Sequence, residues 1–250
     1  MIEVKTGFRG EYRIRAIKNG EAVRETDWFP NMILDNGLNL LGGTTTPLAA
    51  CSVGTSNVAP VASQTALSVY HQGTTLVSSS TAVDGAPNYA LKSTFVYTFS
   101  IQTSNQNYAE VGIGPVSTGT NLFSRALIVD AGGAPTTFTV LTGEQLEVTY
   151  RLWLMPQITD SVAVVNISGT NYTFTTRASG AGTYNVQLED LRNGGMLWTG
   201  TNLAMTVYNG TIGAVTSGPS GSSATSGGAT VAGYTAGTFY RDVTYPFSVS

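Results

Sequence analysis

Side chains that could carry out chemistry are scarce in this chain of 250 residues. His71 is the only histidine and Cys51 the only cysteine. A nucleophilic triad would therefore depend on His71, which lies in a Tyr-His-Gln-Gly stretch typical of a surface loop. A zinc site needs three or four histidine, cysteine or carboxylate ligands. We predict no catalytic residue, no metal site and no cofactor, and a single cysteine also excludes an intrachain disulfide.

Paired carboxylates are the other possible source of chemistry, since two of them can hydrolyse a glycosidic bond. The candidates near the most regular part of the sequence are Glu110, Asp130, Glu144 and Glu147. Glu110 differs from the others because apolar residues flank it, as they do in a buried strand. Glu110 is therefore the carboxylate for which the sequence predicts burial.

A buried Glu110 needs a cation, and Arg125 in the sequence Phe-Ser-Arg-Ala-Leu is the candidate. Buried ion pairs fix geometry more than they stabilise, and the loss of one member leaves an unpaired charge. We predict a structural ion pair between Glu110 and Arg125. Two alternatives stay open, namely that both side chains are exposed or that Glu110 is catalytic.

Aromatic side chains could form a platform on which sugar rings stack. The chain has three tryptophans and twelve tyrosines, and aromatic residues in strands usually belong to a core or an interface. Within the C-terminal part, Trp198 and Tyr208 are the aromatic residues that we assign to a possible ligand- or receptor-facing surface. An open groove lined by these two residues would favour a binding module.

The composition is poor in charge. Only 11% of the residues are charged, against about 25% in typical globular domains. Threonine, serine, asparagine and glycine replace them, which is typical of a robust extracellular β protein or of a subunit covered by neighbours. The net charge is −3, and the basic residues near the N-terminus alternate with glutamates, which predicts a solvated hairpin surface of both signs. The sequence therefore offers no basic face for nucleic acid.

Alternation of apolar and polar residues predicts strands. It is clearest from Leu146 to Leu154, at the end of a region, 91–156, that we interpret as an antiparallel meander. Asn19-Gly20 predicts the turn of a β-hairpin that spans residues 11–28. Residues 31–41 predict one short helix that ends at Gly42-Gly43.

The remaining segments show less pattern. Residues 44–92 have little periodicity and predict mainly loop, with a possible short strand at Cys51–Gly54, a possible helical turn at 63–69 and a long excursion at 73–84. We place a domain boundary after Pro156, so that the domains are residues 1–156 and 157–250. The Gly/Ser-rich segment 217–233 has the composition of a linker, and we expect neighbouring chains to hold it. The predicted fold class is all-β: an antiparallel β-sandwich-like domain with one short helix, followed by a smaller β domain.

Five short motifs in residues 28–156 resemble tailed-bacteriophage virion structural proteins of the tail and tail-fibre-associated group. They are Phe29-Pro-Asn-Met-Ile-Leu-Asp-Asn-Gly-Leu-Asn-Leu-Leu, Cys51-Ser-Val-Gly-Thr-Ser-Asn-Val-Ala-Pro, Tyr108-Ala-Glu-Val-Gly-Ile-Gly, Leu122-Phe-Ser-Arg-Ala-Leu-Ile and Glu144-Gln-Leu-Glu-Val-Thr-Tyr-Arg-Leu. The resemblance implies a non-enzymatic, β-rich subunit that assembles in several copies around the tail or baseplate. It supplies no catalytic residues.

The functional expectation is accordingly a non-enzymatic structural protein of the virion tail, at its tip, baseplate or fibre-attachment region. Its expected partners are other copies of itself and other tail proteins, with no nucleic acid and no membrane insertion. The sequence also has no signal-peptide segment, which predicts synthesis in the host bacterial cytoplasm before incorporation into the virion. One alternative is a tail-fibre module that binds a host saccharide receptor. A tail-associated enzyme that degrades polysaccharide is the less favoured alternative.

Overall fold

The structure is a computed structural model. It describes residues 6–42, 46–84, 90–176, 206–214, 217, 219–225, 230–240, 242–244 and 246. The described part is rich in β-strand and contains one short helix, so the predicted all-β class is confirmed.

The first part of the chain contains twelve strands and the helix. These are β1 (Thr6–Lys18), β2 (Glu21–Glu25), β3 (Phe29–Pro30), β4 (Met32–Ile33), α1 (Asp35–Gly42), β5 (Ala50–Gly54), β6 (Tyr70–Val83), β7 (Leu91–Ile101), β8 (Gln106–Tyr108), β9 (Glu110–Gly114), β10 (Ser124–Leu127), β11 (Phe138–Val140) and β12 (Gln145–Pro156). The later described strands are β13 (Ser161–Ile167), β14 (Thr170–Thr176), β15 (Thr206–Tyr208), β16 (Ser223–Thr225), β17 (Thr230–Val231) and β18 (Val243–Thr244).

Ten of these strands form one antiparallel sheet. Its order is β2-β1-β12-β7-β6-β5-β9-β10-β4, with β3 also paired to β1. The predicted hairpin is present, because Asn19 and Gly20 adopt the positive φ angles of 54° and 84° that a two-residue turn between β1 and β2 requires. The predicted alternation in β12 is also present, because Leu146, Val148, Tyr150, Leu152 and Leu154 belong to the core. On the opposite side Thr149 and Trp153 are also largely covered, with exposed fractions of 9% and 7%.

The sheet curls until its two ends meet. The segment 29–33 makes this closure, because its first half, β3, pairs with β1 while its second half, β4, pairs with β10. Across the interior, the hydroxyl oxygens of Tyr12 on β1 and Ser124 on β10 lie 2.7 Å apart. The enclosed space is one core of aliphatic and aromatic side chains contributed by most strands of the sheet.

The strands of 91–156 do not form the predicted meander. Only β9 and β10 pair as consecutive strands, whereas β11 pairs with β8 and β12 lies between β1 and β7. The prediction joined strands that are neighbours in sequence. In the structure, β12 pairs with β1 and β7 over most of its length, and these long-range pairings bring apolar side chains of all three strands into one core.

Two other local predictions are wrong. The possible short strand Cys51–Gly54 is present within β5, but the long excursion predicted for 73–84 is instead, up to Val83, part of strand β6 of the main sheet. The serine- and threonine-rich sequence of β6 gains regular structure from the neighbouring strands β5 and β7 rather than from its own periodicity. The helix begins at Asp35, four residues later than predicted from residue 31, because β4 is extended and pairs with β10.

After Pro156 the described strands form three separate two-stranded sheets, and none joins the main sheet. Parts of the Gly/Ser-rich segment 217–233 belong to two of them, through β16 and β17. One later segment reaches the helix, where Asn39 Oδ1 accepts hydrogen bonds of 2.7 Å from both the Tyr234 hydroxyl and the Gly237 amide. The division into two domains at Pro156 stays a prediction.

Candidate functional site

The predicted ion pair between Glu110 and Arg125 is present at the centre of a buried polar cluster. Glu110 begins β9 and Arg125 lies on the adjacent strand β10, two positions from the residue that pairs with Glu110. Glu110 Oε2 is 2.7 Å from Arg125 Nη2 and 2.9 Å from Arg125 Nε. Both side chains have an exposed fraction of 0%.

The segment 55–69 supplies the remaining partners of this pair. The amides of Ser68 and Val69 donate hydrogen bonds of 3.0 and 2.7 Å to the Glu110 carboxylate. The Arg125 guanidinium donates to the Gln64 side chain, the Val58 carbonyl and the Ser68 hydroxyl at 2.8, 2.8 and 3.1 Å. The two buried charges therefore compensate each other, and their other hydrogen-bonding positions bind backbone and side-chain groups of one segment.

We call residues 55–69 the pinned loop, because backbone hydrogen bonds also attach it to its surroundings. The Ala62 carbonyl accepts from the Asp35 amide, and the Leu67 amide donates to the Gly119 carbonyl. Glycine at position 54 leaves the room that this arrangement needs. A Cβ atom at Gly54 would lie 2.6 Å from Glu110 Oε1 and would overlap the Val69 carbonyl oxygen. The pinned loop is thus held in one conformation by buried polar groups.

The other candidate carboxylates also have partners. Asp130 Oδ1 accepts hydrogen bonds from the Gly132 and Ala134 amides in a turn. Glu147 forms an ion pair with Arg15 across β12 and β1. Glu144 forms an ion pair with Arg24 and accepts a hydrogen bond from the Leu141 amide at 2.9 Å. These contacts lower the pKa of Glu144, although its burial acts in the opposite direction.

The histidine and the cysteine lie on two neighbouring strands of the main sheet. His71 is exposed at the start of β6, rather than in the predicted loop, and its ring packs against Tyr108 with a centroid distance of 5.6 Å. Cys51 is buried on β5, and burial raises the pKa of its thiol. Across the described ranges, no three histidine, cysteine, aspartate or glutamate side chains converge as they would in a metal site.

The two aromatic residues assigned to a possible ligand-facing surface have different outcomes. Trp198 lies outside the described residues. Tyr208 ends the short strand β15, and 38% of it is exposed. The assignment of these residues to a binding surface stays a prediction.

The outward side chains of β1, β2 and β12 form a charged surface, which we call the charged face. The part on β1 and β2 agrees with the solvated hairpin surface of both signs that the sequence predicts, whereas the sequence did not indicate the part on β12. The Arg9 guanidinium lies 4.3 Å from the ring centroid of Trp153, its neighbour in register on β12. The Arg151 guanidinium lies 3.7 Å from the ring centroid of Trp28. Several ion pairs between arginine and glutamate accompany these stacks. The alternating charges near the N-terminus were the signal available in the sequence. The register between β1 and β12, which brings their charged side chains together, could not be inferred from it.

A second part of the chain contrasts with the charged face. No lysine, arginine, aspartate or glutamate occurs from Asn36 to Val83, a stretch that we call the charge-free region. Apolar side chains are nevertheless exposed there, namely Val58, Val61, Val69, Tyr70 and Val77. Three of these valines belong to the pinned loop. The buried ion pair therefore supports a rigid loop whose outer surface is uncharged and partly apolar.

A scan against protein-family models finds no match, and searches of curated proteins and of solved structures find none. The resemblance to tailed-bacteriophage virion proteins therefore stays a hypothesis. Within the described ranges, no helix has the length and apolar character needed to cross a bilayer.

Proposed function

We propose that this chain is a non-enzymatic structural subunit that acts by protein–protein assembly. The observation that carries the proposal is the charge-free region with its exposed apolar side chains. Solvated surfaces of small domains usually carry about 25–35% charged residues of both signs. A region without any charge, presented partly on a loop held by a buried ion pair, is suited to contact with another protein.

The state of the charged groups agrees with an assembly role. Glu110 is enclosed with Arg125, and Glu144 and Glu147 each bind an arginine. A glycosidase needs one carboxyl group free to donate a proton and a second free to act as nucleophile or base. The partners of these three side chains are therefore those of structural groups, and they favour the non-enzymatic proposal over the polysaccharide-degrading alternative.

The particular assembly that we propose is the tail of a bacteriophage virion, at its tip, baseplate or fibre-attachment region. This step is based on the five motifs in residues 28–156. A tail ring is built by cyclic repetition, so that each copy has part of its surface covered by neighbours. The proposal assigns the charge-free region to such covered surface and the charged face to solvent.

Cysteine labelling of two matched valines tests this assignment. Val77 on β6 is 64% exposed in the charge-free region, and Val23 on β2 is 45% exposed beside the charged face. In the free chain, a maleimide should label Val77→Cys and Val23→Cys alike, while the buried Cys51 provides the unlabelled background. In assembled tails, labelling of Val77→Cys should fall about tenfold, whereas Val23→Cys should keep its reactivity.

Antibodies against the recombinant chain should, in addition, bind the tails of purified particles in electron micrographs. Equal labelling of both cysteines in the particle would contradict the assignment of the covered surface. Absence of the chain from purified particles, with the protein recovered only as free chain, would contradict the virion role itself.

A further inference from the structure

The hairpin β13–β14, Ser161–Thr176, is a sheet of only two strands in the described part of the chain. Its turn is well defined, because Ser168 and Gly169 adopt φ angles of 50° and 88°, as in a type I′ turn. A two-stranded sheet is at best marginally stable by itself in water. The regular pairing of this hairpin therefore calls for further contacts that stabilise it.

Apolar side chains are exposed on both faces of the hairpin. Val162 and Val164 lie on one face with exposed fractions of 62% and 64%. Ile167 and Tyr172 are exposed on the other face. Exposed valine, isoleucine and tyrosine together in a short sheet are characteristic of a surface that binds another protein.

The hairpin also lacks the features that prevent pairing at a sheet edge. Exposed edge strands normally carry charged residues, proline or a bulge. From Ser161 to Thr176 there is no charged residue and no proline, and the register has no bulge. A contact between identical copies around a two-fold axis brings a residue opposite its own equivalent, so any charge near the axis would meet a like charge. The absence of charge is what such self-pairing requires.

The direction of the backbone groups distinguishes the two strands. In a two-residue hairpin, the pair that flanks the turn is hydrogen-bonded and the pairs then alternate. The backbone groups of Val162, Val164 and Asn166 therefore point outward from β13. On β14 the outward groups belong to threonines and an asparagine, Asn171, Thr173 and Thr175. Only pairing through β13 brings exposed valines of two copies together.

We propose that β13 pairs antiparallel with β13 of a second copy, with the two-fold axis at Val164. The two hairpins then form one four-stranded sheet, in which the valines of both copies share a face. This inference builds on the proposed assembly function and names one contact between copies. It concerns the hairpin alone, and the charge-free region is left for other neighbours.

The formation of a disulfide between two copies tests this geometry directly. Residues in a hydrogen-bonded antiparallel pair have Cα atoms about 5.5 Å apart, which is within the range of a disulfide. Purified full-length Val164→Cys should form a covalent dimer on mild oxidation. The matched control is Thr173→Cys, since Thr173 is the cross-strand neighbour of Val164 on the same exposed face. It should give at least about tenfold less dimer, and the wild-type chain reports any contribution of Cys51.

Self-association of the chain without a cross-link is measured by sedimentation velocity at protein concentrations between about 1 and 100 µM. The wild-type chain should self-associate, and Val164→Lys should weaken association at least about tenfold by placing two ammonium groups opposite each other. Thr173→Lys should change it less than about threefold. Circular dichroism of both lysine variants serves as the control that the main sheet is intact.

The outcomes separate the two proposals. If the wild-type chain self-associates but Val164→Cys gives no more dimer than Thr173→Cys, the β13 contact is overturned and the assembly function stands. If Val164→Lys and Thr173→Lys weaken association equally, the specific strand assignment is overturned. A wild-type chain that stays monomeric over this concentration range overturns the β13 contact, while the labelling of assembled tails still decides the proposed function.

Discussion

The charge-free region and the charged face use ionic groups in opposite ways. In the charge-free region, the pinned loop is held by one ion pair, Glu110–Arg125, whose side chains are both 0% exposed. The charged face carries several ion pairs in contact with solvent, such as Arg15–Glu147 with exposed fractions of 30% and 16%. The comparison indicates that charge inside this protein fixes the shape of an uncharged surface. Charge outside contributes solubility and little stability.

The largest expected effect is the loss of one member of the buried pair. Arg125→Met should lower the free energy of unfolding by about 3–5 kcal/mol, because Glu110 would keep a buried charge without a cation. Urea-induced unfolding measures the change. Arg15→Met on the charged face is the matched control, with an expected loss of about 0–1 kcal/mol.

If Arg125→Met does not fold, the double variant Glu110→Leu/Arg125→Met keeps the test decisive. Removal of both charges eliminates the unpaired carboxylate, so the double variant should be more stable than Arg125→Met alone. Equal losses from Arg125→Met and Arg15→Met would show that the two regions do not differ as described.

A smaller loss of stability is expected when a side chain is added in the space around the Glu110–Arg125 pair. Gly54→Ala should cost about 1–3 kcal/mol, since the added methyl group would overlap the Val69 carbonyl and crowd the Glu110 carboxylate. Thermal or urea unfolding measures it, and Gly233→Ala, where a Cβ meets nothing within 4 Å, is the control. A variant at position 54 as stable as the wild type would mean that the pinned loop can shift at no cost.

On the charged face, the interaction energy itself can be measured. A double-mutant cycle with Arg15→Ala and Glu147→Ala should give a coupling of about 0–1 kcal/mol. The coupling should decrease when the ionic strength rises from about 0.05 to 1 M, because exposed charges are screened. A coupling above about 2 kcal/mol that is insensitive to salt would show that Arg15–Glu147 behaves as a buried ion pair, like Glu110–Arg125.

The smallest expected effect is on the stability of the protein at acidic pH. Since the pKa of folded Glu144 is below its ordinary value of 4.5, its contribution to stability is complete above pH 4.5 and decreases as the pH falls through the folded pKa. Glu144→Gln should therefore show a weaker loss of stability between about pH 5 and 3 than the wild type. Urea midpoints across this range measure the slopes, and identical slopes would contradict the role of the Arg24 contact.

Local sequence pattern predicted some elements because their causes are local. Asn19-Gly20 specifies a tight turn whatever surrounds it, since both residues accept positive φ. The alternation from Leu146 to Leu154 fixes which side of β12 faces the core. The Glu110–Arg125 pair was predictable because a carboxylate among apolar neighbours has few ways to be buried.

The partners of those elements depended on the tertiary structure. The sequence of β6 has no strand periodicity, yet it lies between β5 and β7 because both neighbours supply hydrogen bonds. The pinned loop is ordered by groups distant in sequence, and position 54 matters only because Val69 and Glu110 approach it. No sequence pattern records such approaches.

The sequence by itself determined the strand-rich class, the turn at Asn19-Gly20 and the absence of charge from Asn36 to Val83. Each of these is a property of residues that are adjacent in the chain. Only the tertiary structure decided that β12 lies between β1 and β7, and that one enclosed ion pair holds the pinned loop. The physical reason is that strand order and the compensation of buried charge depend on long-range burial, which favours partners by their fit in space rather than by their distance along the chain.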